Sequence, residues 1–108
     1  MNEYVLIMTI VERGQANKVV DAAKAAGAGG GTIFYGRGTG GDDVKHFLNI
    51  HIDVAKEVIM IITPNSQVEK VTEAMVESGQ LNSPGKGILF TIPLASVVGL
   101  SKRNLPSE

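Results

Sequence analysis

The sequence predicts an α+β protein with a ferredoxin-like β-α-β-β-α-β sandwich fold, in one domain. Three observations predict it. Short apolar runs alternate with two amphipathic helical stretches. Each half of the chain reads apolar run, helix, glycine, apolar run, which is a weak internal repeat of the β-α-β kind. The apolar runs also lack clean alternation with polar residues, so both faces of the sheet need cover. Helices in this architecture cover one face, and a partner subunit is the expected cover of the other.

The elements follow in order. Tyr4–Val11 is apolar almost throughout and reads as a central strand. Glu12-Arg13-Gly14-Gln15 turns into a helix in which Ala16, Val19, Val20, Ala23 and Ala26 recur at helical spacing, with Asp21 and Lys24 on the other side. Gly27 is expected to end it as a left-handed cap. The second strand is Gly31–Tyr35 or slightly longer. Residues 36–53 form the longest irregular section, and loops of that length in a compact domain carry function. Phe47, Leu48, Ile50 and Ile52 are too apolar for a plain solvent loop, which points to a hairpin or to a contact with another subunit. Val58–Thr63 is the third strand. Pro64–Glu69 opens the second helix, with Ser66 and Glu69 as a capping box and Asn65 as a competing cap. Val68, Val71, Thr72, Met75 and Val76 are its buried stripe, and Gly79 its end. Gln80–Lys86 is a polar turn. Gly87–Ile92 is the fourth strand, stopped by Pro93. Val97-Val98-Gly99-Leu100 reads as a short edge strand, and the chain closes in a polar tail expected to be mobile.

Composition narrows the function. At 108 residues the chain is long enough for one small core, and oligomerisation would strengthen it. A net charge of -1 argues against nucleic-acid binding by bulk charge. The absence of cysteine excludes disulfides and thiolate metal sites and fits a reducing cytoplasm. No signal-peptide pattern is present at Met1-Asn2-Glu3-Tyr4, and no apolar run is long enough to span a bilayer. A cytoplasmic protein is the expectation.

Glycines crowd both ends of the second strand, from Gly27 through Gly41. Glycine has no side chain to hold a ligand off, so such backbone suits an anionic small molecule, with a nucleotide the leading candidate. A tight turn and a loose loop are the plainer explanation. Gly36-x-Gly38-x-Gly40-Gly41 lacks the following helix of a dinucleotide fingerprint and the Gly-Lys-Ser/Thr of a P-loop. Ser83-Pro84-Gly85-Lys86-Gly87 is the better anion candidate, because two glycines can turn amide groups to one side and Lys86 adds charge. An ordinary turn with a solvated lysine explains it as well. His46 and His51, with Asp42, Asp43 and Asp53, are metal-ligand types, but on one strand the two histidines would face opposite sides, and a solvated loop is the plainer reading. No nucleophile–base pair can be placed, so no catalytic residue and no enzymatic activity are expected. Phe34 and Tyr35 share a strand without basic neighbours, which argues against RNA.

These pieces together resemble the PII nitrogen-regulatory signal proteins and their PII-like relatives, over roughly residues 1–101. The resemblance rests on the β-α-β, long loop, β-α-β order and on Gly36-Arg37-Gly38, where the family opens its large T-loop. It rests also on Lys56, where the family closes that loop, and on Ser78-Gly79 through Gly87 followed by Phe90–Val98, similar to the B-loop and the strand after it. It implies a domain over residues 1–101 with a T-loop at 36–55 and a B-loop at 79–87, and a tail at 102–108. It implies a homotrimer that binds ADP, ATP or AMP as a regulatory ligand in clefts between subunits, with no other cofactor. Carried over, Gly36, Arg37, Gly38, Gly85, Lys86 and Gly87 fall at the phosphates, and Gly30, Gly31 and Thr32 at the adenosine. Lys56 falls where 2-oxoglutarate pairs. The T-loop would report ligand state to a target protein, a membrane transporter or a metabolic enzyme in nitrogen or carbon metabolism, with no nucleic acid and no membrane insertion. Departures are visible. No tyrosine or serine lies in Thr39–Asp53, the glutamine expected near Thr39–Gly40 is replaced, and Lys102 and Arg103 stand out of step with the family's paired arginines. A PII-like member preferring ADP or AMP fits these departures. The alternative of another class is a metal-handling trimer of the divalent-cation tolerance type, or a small ferredoxin-like enzyme.

Overall fold

The computed structural model describes residues 3–39, 46–47, 50–51 and 54–100. The elements run β1 (Tyr4–Glu12), α1 (Ala16–Ala25), β2 (Thr32–Gly38), β3 (His46–Phe47), β4 (Ile50–His51), β5 (Val54–Pro64), a 3-10 turn η1 (Asn65–Gln67), α2 (Val68–Gly79) and β6 (Gly87–Pro93). Four strands form one antiparallel sheet in the order β2-β5-β1-β6. The two β-α-β halves therefore interleave, and each contributes one central strand, β1 or β5. This is the ferredoxin-like arrangement. β3 and β4 pair apart from it as a short ribbon, with His46 opposite His51 and Phe47 opposite Ile50.

Burial along β1 alternates although its sequence does not. Val5, Ile7, Thr9 and Val11 are buried, while Leu6, Met8 and Ile10 are half-buried. Successive side chains of a strand point to opposite faces, so the alternation marks a sheet with helices on one side only. Under the helices, Ile7, Val11, Ile59 and Ile61 meet Val19, Ala23, Val71 and Met75 in one core cluster. Burying each of the larger side chains contributes roughly 1.5–3 kcal/mol. Ala16, Ala23 and Ala26 let α1 lie close to the sheet.

The start of α1 is held from the sheet. Oε1 of Glu57, on β5, accepts hydrogen bonds from the backbone N–H of Gly14 at 3.0 Å and of Ala16 at 2.8 Å. The cap position itself, Gln15, makes no side-chain cap bond. A carboxylate at a helix N-terminus satisfies amides that lack partners within the helix and meets the positive end of its dipole. Gly27 follows the C-cap Ala26 with φ +117, as expected of the residue ending α1.

Several expectations are corrected. β2 runs on through Gly36, Arg37 and Gly38, and β5 begins at Val54, so Gly36–Gly38 and Lys56 belong to paired strands rather than to loop or to a lead-in. The second helix is entered through η1, and the position that caps α2 is Gln67 rather than Ser66 or Asn65, which lie within η1. Gly79 is the last residue of α2, as expected, and the left-handed residue that follows it is Gln80, with φ 54. The reason for Gly79 is packing: a Cβ there would lie 3.3 Å from Val19 Cγ2 and 3.1 Å from Leu81 Cδ2. Residues 97–100 form no strand. Among the described residues, no helix is long and apolar enough to cross a membrane.

Candidate functional site

The face of the sheet away from the helices is built from aligned rows. Strand register sets Ile88 beside Ile10, Val58 and Phe34, and Phe90 beside Met8, Met60 and Thr32. Ile92, Leu6 and Ile62 form a third row. Among the described residues nothing covers this face at its margins, and Phe34, Ile88, Phe90 and Ile92 are 43%, 56%, 40% and 43% exposed. A row of polar and small residues borders it, where Glu12, Lys56 and Gly36 lie side by side.

At the rim of this face, where α1 returns to β2, Gly29, Gly30, Gly31 and Thr32 line a cavity of about 400 Å³ with Met60, Ile62 and Leu100. Its glycine wall has a structural cause. A Cβ on Gly31 would lie 2.8 Å from Ile61 Cγ1 and 3.2 Å from the Met60 carbonyl oxygen, and Gly30 has φ +140 with open space beside it. The backbone therefore passes close over β5 and leaves its outer side bare. The structure thus brings together Gly30, Gly31 and Thr32 and adds Met60, Ile62 and Leu100, which the sequence reading did not single out. The first two were within reach, since β5 register sets them on the same face as Thr32. Leu100 was not, because an irregular segment returning to the sheet leaves no periodic signal.

The remaining predicted residues lie elsewhere. Gly36 and Gly38 pair with Lys56 and Val54 at the far end of β2, four and six residues from Thr32, or roughly 13 and 20 Å along the strand. Lys56 leans over the neighbouring glycine: a Cβ on Gly38 would meet its Cγ at 3.3 Å and its Cε at 3.0 Å. A Cβ on Gly36 would meet only Val58 Cγ2, at an ordinary 3.6 Å. Arg37 is paired opposite Ala55 and is exposed.

Gly85, Lys86 and Gly87 lie before and at the start of β6, on the opposite sheet edge from β2, three strand spacings or about 14 Å away. The Lys86 N–H donates to the Ser83 carbonyl at 3.4 Å, Pro84 follows Ser83, and Gly85 has φ +78. That is the pattern of a type II turn, which requires positive φ at its third residue. Gly87 has φ +144, and a Cβ on it would collide with the Ile10 carbonyl oxygen. Both glycines therefore have a local reason in the fold, and Lys86 is exposed between them. Among the described residues, no three or more His, Cys, Asp or Glu gather as a metal cluster. Asp42, Asp43 and Asp53 lie outside the described residues.

Against known proteins, the family model described as "Nitrogen regulatory protein P-II" matches residues 4–104. Among solved structures, the chain is similar to "Arabidopsis thaliana PII bound to citrate", with a TM-score of 0.69 and 26% identity, over 86% of this chain and 78% of that one. With the interleaved sheet already in place, a match over nearly the whole chain defines the class: a regulatory protein of signal transduction on a ferredoxin-like fold. The chain belongs to the P-II nitrogen regulatory protein family.

Proposed function

We propose that three copies of this chain assemble around their apolar sheet faces and bind an adenine nucleotide, ADP, ATP or AMP, in clefts between subunits. The loop between β2 and β5 then reports the bound ligand to a target protein in the cytoplasm, a transporter or a metabolic enzyme of nitrogen or carbon metabolism. The observation that carries this reading is the bare-backbone cavity at Gly29–Thr32, set on the rim of a sheet face that the described residues leave uncovered. A neighbour docking on that face would wall the cavity. Large apolar surface left open on a small protein marks an interaction site. The dispersal of the other glycines supports the same reading, since the cavity of one chain gathers Gly30, Gly31 and Thr32 but not Gly36–Gly38 or Gly85–Gly87. In this proposal Gly30, Gly31 and Thr32 meet the adenosine. Gly36, Arg37, Gly38, Gly85, Lys86 and Gly87 meet the phosphates, and Lys56 meets a 2-oxoglutarate-like effector.

Gly36 gives the cleaner test. It lies on an ordinary strand with only an ordinary contact at its Cβ direction, so Gly36→Val leaves the fold in place. Calorimetric titration of ADP and ATP should show one site per chain for the native protein. Gly36→Val should weaken it by about tenfold or more, and Lys86→Ala should do so through the lost charge, each hydrogen bond to a charged group being worth roughly 1.5–3 kcal/mol. Native affinity in both variants would remove the phosphate assignment.

A further inference from the structure

We propose that the segment from Leu94 to Leu100 is a strap across the end of the sheet, and that Leu100 at its tip closes over the base of the nucleotide held in the glycine cavity. This rests on the nucleotide binding proposed above and names the residue that retains the base. The strap leaves the sheet at the end of β6. Pro93 is paired opposite Val5, and the Leu94 N–H donates to the Tyr4 carbonyl at 3.0 Å. Beyond that point, among the described residues, no backbone hydrogen bond ties 95–100 to the sheet. The cavity lies at the other edge, beside β2, three strand spacings or about 14 Å away. The chain from Leu94 to Leu100 reaches at most roughly 20 Å, so it makes this crossing with little slack.

Its tip differs from the rest of the cavity wall. The other lining residues belong to β5 or to the connection into β2, and strand pairing fixes them by setting Thr32 beside Met60. Among the described lining residues, Leu100 alone arrives from outside that pair of strands. It is 37% exposed, and Val98 just before it is 98% exposed. Gly99 stands between them with φ +103 and open space where a Cβ would lie. Glycine takes that angle readily and other residues do not, so the chain turns there, between a side chain left in water and one laid on the cavity. A flat heteroaromatic ring suits the resulting slot. Its face buries apolar surface against Leu100, and its edge nitrogens meet the N–H and C=O groups of the glycine backbone.

The test is calorimetric titration of the full chain with AMP, ADP and ATP. Leu100→Ala should weaken the nucleotide bound most tightly by about tenfold, through the apolar contact removed. Leu100→Met keeps an apolar side chain of similar volume and should stay within about threefold of the native chain. Gly99→Val disfavours the angle that returns Leu100 to the cavity, and should weaken binding as Leu100→Ala does. In both weakened variants, stopped-flow displacement should show faster dissociation with association little changed. Unchanged melting and light scattering of each variant show that the sheet and the assembly persist. Native affinity in Leu100→Ala or in Gly99→Val overturns this inference alone, as does an equal loss in Leu100→Met. If the native chain binds none of the three nucleotides, the nucleotide reading itself falls and the strap falls with it.

Discussion

Thr9 and Thr63 are fully buried between sheet and helices, and among the described residues their hydroxyl oxygens have no hydrogen-bond partner. An unpaired buried hydroxyl carries its desolvation cost without return. Thr9→Val keeps the shape and removes the hydroxyl. It should raise stability by about 1 kcal/mol, seen as a higher urea midpoint at unchanged slope. Glu57 is the opposite case, a buried carboxylate whose two bonds are the start of α1. Glu57→Ala leaves those amides unpaired and should cost about 2–4 kcal/mol, with loss of helical signal on mild heating. Gly87 separates two uses of glycine. Its positive φ and the Ile10 carbonyl beside it make Gly87→Val a folding variant, so any loss of ligand binding there would follow loss of structure. Gly36 has neither constraint, and for that reason Gly36→Val tests the proposed ligand contact without disturbing the fold.

At the scale of elements, the strands and helices were legible because apolar spacing survives in the sequence. Val19 and Ala23 on α1, and Val71 and Met75 on α2, are buried where the helical rhythm puts them. Ends were less legible. Gly36 and Gly38 look like loop residues, yet cross-strand pairing with Lys56 and Val54 holds them in β2, since a partner strand can carry glycine that propensity alone would not. Gly79 ends α2 where the sequence placed its end, and the approach of α2 to Val19 is what calls for glycine there. The paired ends of β2 and β5 also make a prediction. Because pairing persists to Gly38 and Val54, deletion of residues 41–51 leaves a short connection that the hairpin can close. The deleted chain should remain folded and keep the oligomeric state of the full chain by light scattering, while failing to capture the target. Aggregation or unfolding of the deletion would show that the loop is part of the core structure.

For the whole molecule, the open face decides the state of assembly. Phe90 stands beside Met8 in the middle of that face and is 40% exposed in the single chain. A charge there costs little in a monomer, where water reaches it, and much in a trimer, where it would be buried without a partner. Phe90→Asp should therefore give a folded monomer by light scattering at concentrations where the native chain forms the proposed trimer. A trimer that survives this change would place the interface elsewhere. The proposed nucleotide binding should be lost in the same variant, because the proposed cleft needs a neighbour.

By itself the sequence determined the element order, the two helices, the buried stripes and the family, since each is written in local spacing and in short glycine motifs. Tertiary structure decided which glycines serve the chain's own packing and which leave bare backbone. It also decided that Met60, Ile62 and Leu100 join Gly29–Thr32 around one cavity. The physical reason is that periodicity reports which way a residue faces within its own element. Only pairing between distant strands fixes which residue it faces.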